Sequence, residues 1–232
     1  MANILNIDTT SSQCSVALAK DGEIVVGLES AQKMDHSSSL APYVEKCVDY
    51  LKQKNEKLDA VSVSYGPGSY TGVRIGLSLA KGIAFGLDIP LITISTLQVL
   101  ATRAMFSYPE FSGEEVVVPM IDARRMEVFT AAYNAGLNEI IPQQAMILDS
   151  DSFRSLENED RVLFIGDGSE KFKELYEGNN GVWLGSLLPH AKYMAPLSEI
   201  KYKKQEFSDV AYTVPNYLKE YQTTQPRKNP II

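Results

Sequence analysis

The stretch YGPGSYTGVRIGLSLAKGIAFG (residues 65–86) joins a glycine-rich loop to a segment with only two charged residues, Arg74 and Lys81. Glycines ahead of a helix leave free N–H groups that suit an anion, and Ser69 and Thr71 add hydroxyls. The loop is not a Walker motif, because no Gly-Lys-Ser/Thr follows, and glycines at 66, 68 and 72 do not fit the dinucleotide fingerprint. A phosphate cradle and a tight structural turn both satisfy the pattern. The helix behind it, over about 71–86, sets Gly72, Gly76 and Ala80 in a row of small residues. A glycine inside a helix costs about 1 kcal/mol relative to alanine, a cost tolerated where a backbone must come close to something. A helix apolar nearly all round must be covered on nearly all sides, either within its own domain or by a second chain.

The sequence on both sides of this block alternates in type. NILNID (3–8) reads as a buried strand ending in a carboxylate. QCSVALAK (13–20) and EIVVGLES (23–30) flank Asp21-Gly22, a strong two-residue hairpin signal. SSSLAPYVEKCVDYLKQKN (37–55) places Leu40, Val44, Cys47, Val48 and Leu51 on one helical face, with Pro42 tolerable if the helix begins near Ser39. Strands at 59–65 and 90–95 and a helix at about 96–106 complete a first half that predicts a mixed sheet with helices on it. EVVVPMID (115–122) then ends in aspartate as the first strand does. Two further strands (126–135, 139–148) follow, and RVLFIGDGSEKFKELY (161–176) supplies a strand, a Gly-Asp-Gly turn and a short helix. This repetition suggests a duplicated half. The expected division is a first lobe over 1–106, a second over 107–220 and an extended tail over 221–232.

Composition narrows the class. The 232 residues are 44% hydrophobic and 22% charged, ordinary values for a globular protein. No run of eighteen apolar residues offers a membrane span, the N-terminus does not read as a signal peptide, and two isolated cysteines read as reduced packing residues. A cytoplasmic protein is expected. The net charge of −7 opposes nucleic-acid binding over most of the surface. Residues 200–232 nevertheless carry six basic against three acidic side chains, which reads as a solvated face ahead of an RNA-binding patch.

Asp8-Thr9-Thr10 sits where α/β sheets hold ligands, past the carboxyl end of a strand. A turn bonded to its own backbone fits equally. Asp8 and Asp122 are a candidate acid/base pair, although nothing in the sequence marks a raised pKa. His36 and His190 have no partner at metal-ligand spacing, and no G-x-S-x-G elbow is present. No metal site and no catalytic residue are expected.

ILNIDTTSSQCSVAL, HSSSLAPYV, the block from Tyr65 to Leu97, IDARRMEVF, GDG and VPNYLKEY occur in that order. Together they resemble the TsaB (YeaZ) family of the bacterial tRNA threonylcarbamoyladenosine (t6A) pathway. The resemblance implies a two-lobed α/β fold of the actin-like ATPase (ASKHA) type and a non-catalytic paralogue of the transferase TsaD. It implies pairing with TsaD, with the ATPase TsaE joining them, a homodimer in isolation, and contact with tRNA only through the complex. The metal-binding histidine pair of TsaD falls at Thr96 and Leu100 here, and neither side chain replaces an imidazole. The two helices near 39–55 and 71–86 then form the partner surface, with Leu40, Val44, Cys47, Thr71, Arg74, Ile75, Ser78 and Leu79 as interface candidates. Asp8, Thr9, Thr10, Gly66, Gly68, Ser69, Asp122, Gly166 and Gly168 become remnants of a nucleotide cleft, with at most weak ATP or ADP binding. Two other readings remain: an ATP-dependent phosphotransferase of the same fold, and an M22-type metalloprotease. The first lacks the usual D-x-G in its first phosphate turn, and the second lacks a ligand triad.

Overall fold

The computed structural model describes residues 2–30 and 36–219, apart from the side chains of His36 and Ser37. The expected tail at 221–232 lies outside these residues. Two five-stranded sheets carry the chain. The first is built from β1 (Asn3–Asp8), β2 (Ser15–Lys20), β3 (Glu23–Glu29), β4 (Ala60–Ser64) and β5 (Leu91–Ile94), in the order β3-β2-β1-β4-β5. The second uses β6 (Val116–Asp122), β7 (Glu127–Tyr133), β8 (Glu139–Ile147), β9 (Val162–Ile165) and β10 (Gly181–Trp183), in the order β10-β9-β6-β7-β8. Each begins with an antiparallel meander of three strands, and each adds two parallel strands beside its first. The two topologies are the same. Asp8 and Asp122 therefore occupy equivalent strand ends, and the Gly66–Gly68 loop after β4 is equivalent to the Gly166–Gly168 loop after β9.

β1 is buried along its whole length because helices cover both faces of its sheet, which is why it reads as a continuous run rather than an alternation. On one face lie α1 (His36–Gln53) and α2 (Tyr70–Leu87), which close a core of Leu5, Ile7, Val16, Val61, Leu77 and Ala84. The opposite face is covered by a 3-10 turn at Ala191–Met194 and by α5 (Ala195–Lys203), which pack Ala191, Met194 and Leu197 on Ile4, Ile92 and Ile94. α3 (Thr96–Ser107) stands between the lobes. It gives Val99 to the first lobe's core, and Leu97, Leu100 and Ala104 to a cluster with Val117, Ala131 and Ile165 of the second. The outer face of the second sheet has no long helix. A one-turn α4 (Glu170–Lys173) and interlocked Phe153, Phe164, Phe172, Tyr176 and Trp183 rings cover it instead.

Two expectations need correction. The second lobe does not run to residue 220, because the chain returns to the first lobe at His190. There Ala191 N–H donates to Ser15 Oγ, and Ser208 N–H donates to the Leu91 carbonyl. The first sheet needs a cover on its second face, and this late segment supplies Ala191, Met194 and Leu197 to it beside Val99 of α3. The second correction concerns α1, which starts at His36 rather than near Ser39 and so holds Pro42 inside it. Pro42 and Ser38, whose carbonyl the proline leaves without a helical donor, are both exposed to water.

Candidate functional site

Between the lobes, at the carboxyl ends of β1, β4 and β6, lies a cleft of about 980 Å³. Thr10, Gly68, Ser69, Thr71 and Arg74 line it from the first lobe, and Asp122, Arg124 and Glu127 from the second. Ser69 caps α2, its Oγ accepting from Gly72 N–H at 3.2 Å. Of the expected cleft residues, Thr10, Gly68, Ser69 and Asp122 reach this space; Asp8, Thr9, Gly66, Gly166 and Gly168 do not.

Asp8 is fully buried. Its carboxylate accepts from Ser64 Oγ, from Thr10 N–H at 3.2 Å and from Thr10 Oγ1 at 3.1 Å. Burial pushes its pKa up to about 6, against the lowering effect of those donors. The turn thus bonds to itself, and Asp8 cannot pair with Asp122 across the cleft. Thr9 is equally buried, donating from Oγ1 to the Gly72 carbonyl at 2.7 Å. The Asp8 carboxylate is engaged by its own turn and by Ser64, and it is not presented to the cleft.

The glycines explain why. A Cβ at Gly72 or Gly76 would collide with Thr9, and one at Gly68 with the Thr10 carbonyl oxygen. The row of small residues therefore seats α2 on its own lobe's first turn, and does not serve approach by a second chain. The equivalent Gly166 and Gly168 fit against the backbone of β6 in the same way. Gly82 and Gly86 differ, with open space where a Cβ would stand.

The interface candidates divide. Leu40 (2% exposed), Val44 and Cys47 (1%) face inward and belong to the first lobe's core. This is a correction: the apolar stripe of α1 is spent on its own sheet, and burial raises the Cys47 thiol to about 11. Ile75 and Leu79 are half-buried against the same core. Thr71, Arg74 and Ser78 are exposed. The same side of α2 carries Phe85, 84% exposed, which the sequence reading did not single out. Its signal was present: positions 71, 74, 78, 82 and 85 repeat at three and four residues, opposite the buried glycines.

Sequence reasoning also missed three sets of contacts around the cleft. Arg74 lies 3.9 Å over the Tyr70 ring, and its Nε donates to Tyr217 Oη at 2.8 Å. Lys219 Nζ donates to both Glu127 oxygens at 2.8 and 2.9 Å. Lys171 Nζ donates to Asp122 Oδ1 at 2.6 Å and to the carbonyls of Arg125 and Glu127. Burial pushes the Asp122 pKa up, but Lys171 and Arg124 outweigh it and hold the carboxyl below its ordinary value. Residues 209–219 thereby form a strap, also held by Lys81 Nζ on the carbonyls of Ala211 and Thr213 and by Asn216 N–H on the Tyr65 carbonyl. Such long-range partners leave no local pattern.

His190 caps the turn at 191–194, with Nδ1 accepting from Lys192 N–H and Nε2 at 3.1 Å from Glu29. The side chain of His36 lies outside the described residues. Among those residues no three His, Cys, Asp or Glu side chains could share a metal ion, and no helix is long and apolar enough to cross a membrane.

Two lobes of one repeated topology, facing each other across a cleft at their strand ends, define an α/β protein of the actin-like ATPase (ASKHA) class. The family model described as "TsaD: tRNA N6-adenosine threonylcarbamoyltransferase" matches residues 29–228. The chain is 34% identical over 223 residues to the tRNA threonylcarbamoyladenosine biosynthesis protein TsaB of Bacillus subtilis, covering 93% of each. Against the protein of the same name from Haemophilus influenzae it is 31% identical, again over 93% of each. Its backbone superposes on YeaZ from Pseudomonas aeruginosa with a TM-score of 0.77 at 27% identity, over 94% of this chain and all of that one. The chain belongs to the TsaB (YeaZ) family, within the wider TsaD family.

Proposed function

We propose that this protein is a non-catalytic partner subunit in formation of the threonylcarbamoyl group on tRNA adenosine, pairing with a TsaD-type transferase and working with TsaE. The observation that carries this reading is the outward side of α2, where Thr71, Arg74, Ser78 and Phe85 stand exposed while the glycine row is buried beneath. An exposed Phe85 ring flanked by small and polar side chains on one helix face suits association, at about 25 cal/mol per Å² of apolar area removed from water. In the absence of the transferase, the same side serves a homodimer.

The lost-catalysis part of the reading is supported by Thr96 and Leu100, which the family resemblance sets against the metal histidines of TsaD, and by the sequestered Asp8. The phosphotransferase alternative requires that same carboxylate in the cleft, and the metalloprotease alternative requires a three-ligand cluster. Any ATP or ADP binding is accordingly weak. Reconstitution of t6A synthesis with and without the chain tests the proposal, and full modification in its absence ends it. Calorimetry with ATP tests the phosphotransferase alternative, which predicts micromolar affinity for the chain alone.

A further inference from the structure

The β6–β7 hairpin is held in an unusual way. Arg124 and Arg125 both take the left-handed conformation, with φ of 73° and 47°, a region that ordinary side chains seldom occupy. The tip is braced from below. Lys171 holds the Asp122 carboxylate and the carbonyls of Arg125 and Glu127, while Asp122 accepts from Arg124 N–H at 2.9 Å and donates its own N–H to Asp167. The brace uses the nearby carboxylate and leaves both arginine side chains exposed, with no ion pair among the described residues. Arg74, on the opposite wall, likewise meets tyrosines rather than a carboxylate. On α5, by contrast, Lys203 pairs with Glu199 and Lys201 with Glu206. In a chain of net charge −7, Arg74 and Arg124 line this cleft and Arg125 adjoins Arg124, none of the three in an ion pair among the described residues.

Aromatic rings accompany them. Tyr70 and Tyr217, 42% and 43% exposed, stack at 5.4 Å between centroids. Unpaired cations that track a backbone, beside exposed rings that accept bases, are the two components of sites for single-stranded nucleic acid. We propose that Arg124, Arg125 and Arg74 bind the phosphodiester backbone of single-stranded RNA at the cleft rim, with the tyrosine pair beside it as a stacking surface. This rests on the reading that the chain acts in tRNA modification, and it departs from the expectation that tRNA is met only through other subunits.

The test is fluorescence anisotropy of a labelled anticodon stem–loop RNA with the full chain across a salt series. Asparagine tolerates the left-handed conformation, so Arg124→Asn with Arg125→Asn removes charge without straining the tip. The expected result is affinity lower by on the order of tenfold at low salt. The log–log salt slope should shrink by about 1.4, at about 0.7 per phosphate contact on a single strand. Lys203→Asn with Lys204→Asn, on the far side of the fold, should change neither. Absence of binding by the parent chain, an unchanged slope in the arginine variant, or an equal loss in the lysine variant overturns the proposal. Loss of ATP binding with RNA binding intact would assign the arginines to a free nucleotide instead. The measurement needs no modifying activity. A chain dispensable for t6A synthesis would therefore defeat the functional reading and leave this one standing, and the reverse outcome is equally readable.

Discussion

Replacing Asp8 with asparagine separates a sequestered carboxylate from a working one. Burial raises the folded-state pKa from 3.8 to about 6, and that difference corresponds to about 3 kcal/mol at 1.36 kcal/mol per pH unit. The sign follows from proton counting. Between the two values the folded chain holds the Asp8 proton and the unfolded chain has lost it, so stability falls as pH rises. The cost is absent below the unfolded value and complete above about pH 6. In the Asp8→Asn variant the side-chain amide keeps an oxygen to accept from Thr10 N–H, and the Ser64 hydroxyl can turn to accept from its NH2 group. Urea unfolding of both proteins across this range gives the difference directly, with m-values checking that unfolding stays two-state. The variant should gain on the parent by about 3 kcal/mol between acid and neutral pH. A pH-independent offset, or a difference that shrinks as pH rises, would refute the account and return Asp8 to the cleft as a usable carboxylate.

Glycines on the two sides of α2 should respond oppositely in the same assay. Gly82→Ala enters open space and should stabilise by about 0.5–1 kcal/mol, whereas Gly76→Ala, forced onto Thr9, should destabilise by about 1–3 kcal/mol; equal signs would mean the buried side has been misjudged. Leu40→Ala should cost about 2–5 kcal/mol as a core truncation, and a loss below about 1 kcal/mol would return Leu40 to the surface. Phe85→Asp should leave the unfolding midpoint of the isolated chain nearly unchanged and weaken association with the TsaD-type paralogue by about tenfold or more. Undiminished association in sedimentation velocity would mean the partner meets another face.

The elements were legible because their signals are local. Asp21-Gly22 marked the first hairpin, with both residues at positive φ, and the NILNID run marked a strand covered on both faces. The two strands ending in aspartate revealed the duplication, since equivalent turns need equivalent residues. What stayed hidden was direction. Periodicity set Leu40, Val44 and Cys47 on one face without saying whether a sheet or a partner covers it. The glycine row announced a close approach, and only the fold shows that Thr9 is what approaches. Tyr217 on Arg74 and Lys219 on Glu127 join residues 143 and 92 positions apart, and no short-range rule links such separations.

The late return of the chain to its first sheet has a consequence for synthesis. Ile4, Ile92 and Ile94 find their cover in Ala191, Met194 and Leu197, so an N-terminal half emerging from a ribosome has one apolar flank with nothing to rest on. The first lobe is not an independent folding unit in the order of translation, because it waits for residues made after the second. Nascent chains of this protein therefore present a sticky surface from the completion of β5 until α5 arrives, and shielding over that interval favours their folding.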